Sequence, residues 1–211
     1  MLARFARMIG VRLALALEMS SDAAERAAFA LENIFLFLLT LGAIILSAAL
    51  CGLFWPAVVA SATGAIMRKA SGGAHLGGPW RCILVSTVLA LLLGLAGRIG
   101  GAVLTLPVMK IVAGFVFLGG LLLLLLYAPA ATPAKPIPPR QGAVLKGLSV
   151  IFLVLWTVGS FTINMGRELL GASMAGMVWQ LWTITPAGYS LYHIIDGLWA
   201  KGGERECASS C

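Results

Sequence analysis

Two residues of the sequence, His75 and Cys82, are of types that carry out chemistry, and they lie seven positions apart. A cysteine thiolate attacks a carbonyl carbon, and a histidine within hydrogen-bond reach takes the thiol proton and later gives it to a leaving amine. The pair therefore predicts acyl transfer through a thioester. The alternative is an inert pair, because a cysteine at the start of an apolar helix is most often a packing residue and a loop histidine is most often solvated.

The segment between these residues must fold back if the two side chains are to meet. On one continuous helix they would lie about 10 Å apart along the axis, which is too far for proton transfer. Gly77, Gly78 and Pro79 disfavour such a helix and predict a turn, followed by a helix that begins at Pro79. Cys82 then lies in the first turn of that helix, where unsatisfied N–H groups and partial positive charge favour a thiolate.

Five further residues of this segment are candidates for binding the substrate or an oxyanion. Glycines allow a peptide backbone to approach closely, and arginines bind carboxylates. Arg68 has an equally good alternative role as a membrane anchor, because basic residues mark the cytoplasmic side. Backbone N–H groups near Arg81 and Cys82 could stabilise an oxyanion, and Ser71 could orient the histidine. The five candidates are Arg68, Ser71, Gly72, Gly73 and Arg81.

The composition places this segment in a membrane protein. Of 211 residues, 60% are hydrophobic and 11% are charged, whereas about a quarter of a soluble domain is charged. A soluble globule and a disordered chain are both excluded. The motifs of zinc proteases, α/β-hydrolases and phosphate-binding loops are absent from the sequence. No cofactor and no metal are expected, since Cys207, Cys211 and His193 would make an incomplete ligand set.

Charge-free stretches predict an all-α integral membrane protein with about six transmembrane helices, since a crossing needs about 20 apolar residues. The first stretch, Asn33–Met67, would be about 52 Å long as one helix, which exceeds the bilayer core. Pro56 predicts its division into crossings over Asn33–Phe54 and Ala57–Met67. The other charge-free stretches are Cys82–Gly97, Ile111–Ala134, Gly147–Gly166 and Leu169–Ile195.

The chain is expected to form one membrane domain, residues 1–211. Arginines among apolar residues at the start predict an N-terminal amphipathic helix at the membrane interface. Prolines from Pro129 onward predict an extended linker. Gly171 and Ala172, each with a small residue four positions later, predict close helix packing within the chain or in a dimer. The expected parts are an interfacial region 1–31, a four-helix part 32–128 with the catalytic loop 68–82, the linker 129–146, a two-helix part 147–196 and a tail 197–211.

The placement of lysine and arginine predicts the orientation in the membrane, because basic loops stay in the cytoplasm. With six crossings, both termini and the His75–Cys82 segment share one side with most of the 15 basic residues, and only Arg98, Lys110 and Arg167 lie on the other side. Both termini and the site are therefore expected to face the cytoplasm. The net charge of +7 suits anionic lipid or an acidic peptide. No nucleic-acid partner is expected.

The pattern Arg-x-x-Ser-Gly-Gly-x-His-x6-Cys, from Arg68 to Cys82, resembles the accessory gene regulator B (AgrB) family of bacterial membrane cysteine endopeptidases. The segments Asp22–Glu32 and Trp179–Pro186 are also similar to that family. The resemblance implies that Cys82 attacks the bond after the signal core of a short quorum-sensing propeptide, with His75 as the base. An internal thiol or hydroxyl would then close a thiolactone or lactone. It also implies a homodimer in the bacterial cell membrane.

Two rival functions stay open at the level of sequence. One is a non-enzymatic transporter or scaffold in which His75 and Cys82 are incidental, although the nearly charge-free midplane disfavours ion coupling. The other is a cysteine protease that only hydrolyses its substrate. The sequence does not separate it from a cyclising enzyme, because both need the same nucleophile and base.

Overall fold

The computed structural model describes residues 8–12, 21–74, 76–130 and 138–208, and in these ranges the chain is helical apart from short connections. Prolines begin several helices, because a residue at the first helical position needs no N–H donor. The predicted start at Pro79 is confirmed. After a short helical segment at residues 8–12, the helices are α1 Ser21–Leu50, α2 Phe54–Ser71, α3 Pro79–Val103, α4 Leu106–Tyr127, α5 Pro139–Thr162, α6 Arg167–Thr183 and α7 Pro186–Ala208.

Four helices in the described ranges are long and apolar enough to cross a membrane: Ala23–Leu50, Pro79–Val103, Leu106–Tyr127 and Arg140–Thr162. Their outer faces carry many exposed large apolar side chains, of which Phe115, at 69% exposed, is an example. So much exposed apolar surface is incompatible with water but suits lipid. The protein is therefore an all-helical membrane protein with four candidate spans. The count of six stays a prediction, as does the interfacial helix, most of which lies outside the described residues.

Three boundaries differ from those predicted from proline positions and charge-free stretches. The break between α1 and α2 falls at residues 51–53, where Gly52 has a φ of 66°, and not at Pro56, which is buried inside the first turn of α2. Helix α5 begins at Pro139, so residues 139–146 of the expected linker are helical. The stretch Leu169–Ile195 is divided at residues 184–185 between α6 and α7. Pro56, Pro139 and Pro186 each lie in the first turn of a helix, where a residue needs no N–H donor.

The shorter helices α2 and α6 form the centre of the bundle. Helix α6 packs along α2 and α3, with half of its residues buried. Small residues make the contacts among these three helices. Between α3 and α2, a methyl group added at Gly94 would lie 2.8 Å from the backbone nitrogen of Ala57, and between α6 and α3, one added at Gly171 would lie 2.7 Å from the Gly97 carbonyl oxygen. The predicted close packing at Gly171 is therefore confirmed within the chain. These inner helices are shielded by their neighbours, which explains why they need fewer apolar residues than the outer spans.

From α1 to α6, the contacts of the helix ends group the connections at two ends of the bundle. At one end, Arg98 pairs with Glu168 at 2.8 Å and donates to the Gly52 carbonyl at 2.7 Å. At the opposite end, the connection between α2 and α3 contacts the end of α6 and the segment after α4. This second end, called the loop end below, carries the predicted catalytic segment.

Candidate active site

Cys82 lies in the first turn of α3, as predicted. Pro79 is the first residue of the helix, Gly78 precedes it in an extended conformation, and the Cys82 N–H donates to the Gly78 carbonyl at 3.0 Å. The thiol is free and partly exposed, and it lies 3.9 Å from the Ser86 hydroxyl. A cysteine in this place is accessible to a substrate while its backbone is held by the helix.

The start of α3 leaves backbone donors for an oxyanion, although Cys82 does not supply one. The Cys82 N–H is used in the first hydrogen bond of the helix, which removes it from the predicted donors. Trp80 and Arg81 precede that bond. The residue before the helix is Gly78, which has no side chain that could cap their N–H groups. N–H groups at a helix start have no intrahelical acceptor. The N–H groups of Trp80 and Arg81 are therefore the remaining candidates for stabilising an oxyanion.

His75, the predicted base, lies outside the described residues, but its neighbours in the chain are described. Ala74 is buried, and its N–H donates to the Thr183 carbonyl of α6 at 3.2 Å. The Ala74 carbonyl accepts a hydrogen bond from the guanidinium of Arg68. On the other side, the Gly77 N–H donates to the carboxylate of Asp196 at 2.8 Å. The backbone is thus anchored immediately before His75 and two residues after it.

Gly72 and Gly73 take part in packing inside the protein. Both have positive φ angles, 70° and 135°, which favour glycine. A methyl group at Gly72 would lie 2.5 Å from the Ala130 carbonyl oxygen, and one at Gly73 would lie 2.9 Å from the Thr183 hydroxyl. The Ala130 N–H also donates to the Ser71 carbonyl at 2.9 Å. Gly72 therefore contacts a segment of the same chain, and its role toward a peptide stays a prediction.

Ser71 is fully buried and is engaged within the protein. Its hydroxyl donates to the Met67 carbonyl at 3.0 Å and accepts from the side-chain amide of Gln180 at 3.1 Å. The same amide donates to the Gly72 carbonyl at 2.7 Å. Gln180, only 2% exposed, therefore connects α6 to the end of α2. These contacts account for Ser71 as a residue that holds the loop.

Replacement of Gln180 by leucine should destabilise this junction. Leucine has a similar size but no donor, so the half-buried Gly72 carbonyl would lose its partner at a cost of about 1–3 kcal/mol. Thermal unfolding in detergent measures the loss. Ser173→Ala is the matched control, because the Ser173 hydroxyl is buried on the same helix but donates only to the Leu170 carbonyl of that helix. Equal destabilisation by the two variants would contradict the prediction.

Arg68 donates to the Ala74 carbonyl of the loop, and its positive charge affects the pKa of Tyr189 in α7. Burial raises the pKa of the Tyr189 phenol above its usual 10.0, and the positive charge of Arg68 offsets part of that increase. The folded protein therefore favours the neutral phenol. Its contribution to stability is complete below about pH 10, the pKa in the unfolded chain, and is lost as the pH rises through the higher folded value.

Ultraviolet titration of the folded protein tests this effect. The difference between wild type and Tyr189→Phe should show a tyrosine that ionises above pH 10, the ordinary value. Arg68→Gln should move that ionisation to still higher pH, because it removes the charge that favours the phenolate. A midpoint at or below pH 10 in wild type, or a downward shift in Arg68→Gln, would contradict the assignment.

The Arg81 guanidinium contacts two residues of the last helix, α7. Its guanidinium lies 3.5 Å from the carboxylate of Asp196 and 3.4 Å from the Asp196 backbone carbonyl. The same group stacks over the Trp199 ring at 5.6 Å from the centroid. The predicted binding residue therefore already has partners within the chain, and its role toward a substrate stays a prediction.

The structure adds Gln180, Thr183 and Asp196, which sequence reasoning did not assign to the site. A buried glutamine in an apolar helix was a usable signal, because polar side chains inside a membrane bundle are costly unless they are bonded. Asp196 gave no comparable signal, since its partner Gly77 is 119 residues away in the sequence. Among the described residues, no cluster of three or more His, Cys, Asp or Glu residues could hold a metal ion.

Comparison with known families assigns the chain to one of them. The sequence model of the family described as accessory gene regulator B (AgrB) matches residues 4–184. No curated protein and no solved structure matches the chain. The matched range covers most of the 211 residues and includes the whole segment from Arg68 to Cys82. The chain belongs to the accessory gene regulator B family.

Proposed function

We propose that the protein is a membrane-embedded cysteine endopeptidase that removes the C-terminal tail of a quorum-sensing propeptide through an acyl-enzyme on Cys82. Membership of the AgrB family gives it a role in the agr quorum-sensing system. The observation that carries the proposal is the free, partly exposed thiol of Cys82 in the first turn of α3. That turn directly follows the anchored loop that contains His75.

In the first step, His75 takes the proton of the Cys82 thiol, and the sulfur attacks the carbonyl carbon of the scissile peptide bond. The carbonyl oxygen becomes an oxyanion, which the N–H groups of Trp80 and Arg81 stabilise. The C–N bond then breaks, and the His75 proton passes to the departing amine. The tail leaves with a new amino terminus, and the signal part stays attached to Cys82 as a thioester.

In the second step, a thiol or hydroxyl of the bound peptide attacks the thioester carbonyl. The bond to the Cys82 sulfur breaks, the proton of the attacking group returns to the Cys82 thiolate by way of His75, and a cyclic thiolactone or lactone leaves. Exchange of one thioester for another is nearly neutral in free energy, so cyclisation wins only where water is kept from the intermediate. A site at the end of an apolar helix bundle suits that requirement.

The charge distribution supports a cytoplasmic location for the site. Lys146 at the loop end donates to the Leu125 carbonyl, and Arg68 and Arg81 belong to the same end. Arg98 and Lys110 lie at the opposite end. Because the more basic end faces the cytoplasm, we place the loop end and both termini there. Arg68 and Arg81 would bind carboxylates of the propeptide, and a second copy of the chain would complete a homodimer.

Mass spectrometry of a candidate propeptide, incubated with the protein in lipid, tests the proposal. Cleavage at one peptide bond and a thioester adduct on Cys82 are the expected results. A product lighter by one water than the linear cleaved peptide indicates cyclisation, and the linear mass indicates a protease that only hydrolyses. The absence of any cleavage or adduct with a propeptide encoded beside the protein would favour a transporter or scaffold instead.

A further inference from the structure

The last helix, α7, contacts the connection between α2 and α3 through an acidic residue, Asp196. This residue lies outside the range 4–184 that the family model matches. One carboxylate oxygen accepts from the Gly77 N–H at 2.8 Å, and the other lies 3.5 Å from the Arg81 guanidinium. The side chain of Asp196 is 26% exposed and that of Arg81 is 33% exposed, so the ion pair is partly shielded from water.

The two partners of Asp196 lie on different elements. Gly77 belongs to the loop, two residues after His75, and Arg81 belongs to the first turn of α3, one residue before Cys82. The carboxylate therefore joins the loop to the helix that carries the nucleophile. Trp199, one turn further along α7, supports the same contact through its ring, 5.6 Å from Arg81. Together these contacts hold α7 against the junction.

The other side of the loop is anchored separately. Ala74 is bonded to Thr183 through its N–H and to Arg68 through its carbonyl. Ala74 and Gly77, which precede and follow His75 in the sequence, are therefore each bonded to another helix. Without the Asp196 contact, the segment between Ala74 and α3 would be held at its second side only by its connection to the helix start at Pro79. A base must lie within about 3 Å of the thiol, and a misplacement of about 1 Å costs about a hundredfold in rate.

We propose that Asp196 is a positioning residue, which holds the loop containing His75 in register with the helix turn containing Cys82. The proposal rests on the proposed function, because it assumes that these two residues react together. Because Asp196 belongs to α7, the proposal gives that helix a role in catalysis. Asp196 acts through the backbone of Gly77 and the side chain of Arg81 and does not itself touch the reacting atoms.

Alkylation of Cys82 by iodoacetamide tests the proposal without a substrate. In full-length protein in lipid with Cys51, Cys207 and Cys211 changed to serine, Cys82 is the remaining cysteine of the sequence. Only the thiolate reacts. A base in register takes the thiol proton as the sulfur reacts, so His75→Ala should slow alkylation about tenfold when Asp196 is present. In the Asp196→Ala background, the same change should slow alkylation less than about twofold, because the register is already lost.

Two conservative variants keep the test decisive if Asp196→Ala does not fold. The measured quantity is the factor by which His75→Ala slows alkylation of Cys82, called the His75 effect below. Asp196→Glu keeps the carboxylate and should restore most of the His75 effect. Asp196→Asn keeps an acceptor for the Gly77 N–H but loses the ion pair with Arg81, so it should give an intermediate effect. Glu168→Gln is the matched control, because it breaks the Arg98–Glu168 pair at the other end of α3 and should leave the His75 effect unchanged.

A full His75 effect in folded Asp196→Ala or Asp196→Asn would overturn the positioning role. That result would leave the proposed function intact, provided that cleavage of the propeptide still required Cys82 and His75. The proposed function fails by a different observation, which is propeptide cleavage that persists in Cys82→Ala. The two failures are therefore distinguishable.

Discussion

Replacement of Cys82 by alanine should abolish propeptide cleavage, with a loss of about a thousandfold or more in kcat/KM. The size of the effect follows from the mechanism, because removal of a nucleophile leaves only binding and oxyanion stabilisation to act on the slow reaction with water. His75→Ala should cost about a hundredfold to ten-thousandfold, the range expected for loss of a general base. Quantitative mass spectrometry of product formation over time measures both losses.

Cys51→Ala is the matched control for the nucleophile. Cys51 is also a free and exposed cysteine, but it precedes α2, whereas the catalytic loop follows that helix. The 18 residues of α2 separate the two places by about 27 Å. Cys51→Ala should keep cleavage within about twofold of wild type, as expected for a residue remote from the chemistry. Cleavage that survives in Cys82→Ala but is lost in Cys51→Ala would reverse the assignment.

The position of Cys82 could be predicted because it depends on local conformational preferences. Gly77, Gly78 and Pro79 form a turn and a helix start whatever lies around them, since a proline at the first helical position and glycines before it have local conformational causes. Cys82 in the first turn then follows by counting. The same reasoning misplaced the break near Pro56, because a proline in the first turn of a helix is tolerated there and marks no interruption.

The contacts that hold the loop could not be predicted, because they depend on how distant helices pack. Gln180 reaches Gly72 across 108 residues of sequence, and Asp196 reaches Gly77 across 119. A periodic or charge pattern reports which face of a helix is apolar, but not which neighbour that face meets. The position of Ala130 beside Gly72 is a further example: the prolines after it predicted an extended segment, but nothing in the sequence indicated that it would lie along the loop.

The contact between α3 and α6 gives the second large effect, which concerns stability. A methyl group at Gly97 would overlap the backbone of Ala172, and both helices are fixed there by neighbouring contacts. Backbone atoms cannot move aside as the end of a flexible side chain can. Gly97→Ala should therefore push the helices apart and cost about 1–3 kcal/mol or more, the range for overpacking in a close-packed interior.

Gly100, three residues further along α3, is the control that isolates this overlap. A methyl group there would have nothing within 4 Å, so Gly100→Ala adds helix propensity, worth up to about 1 kcal/mol, without a clash. Thermal unfolding in detergent should therefore show a lower midpoint for Gly97→Ala and an unchanged or higher midpoint for Gly100→Ala. Equal midpoints would show that α3 and α6 are not in close contact at Gly97. Because α6 also carries Gln180 and Thr183, which anchor the catalytic loop, Gly97→Ala should reduce cleavage together with stability.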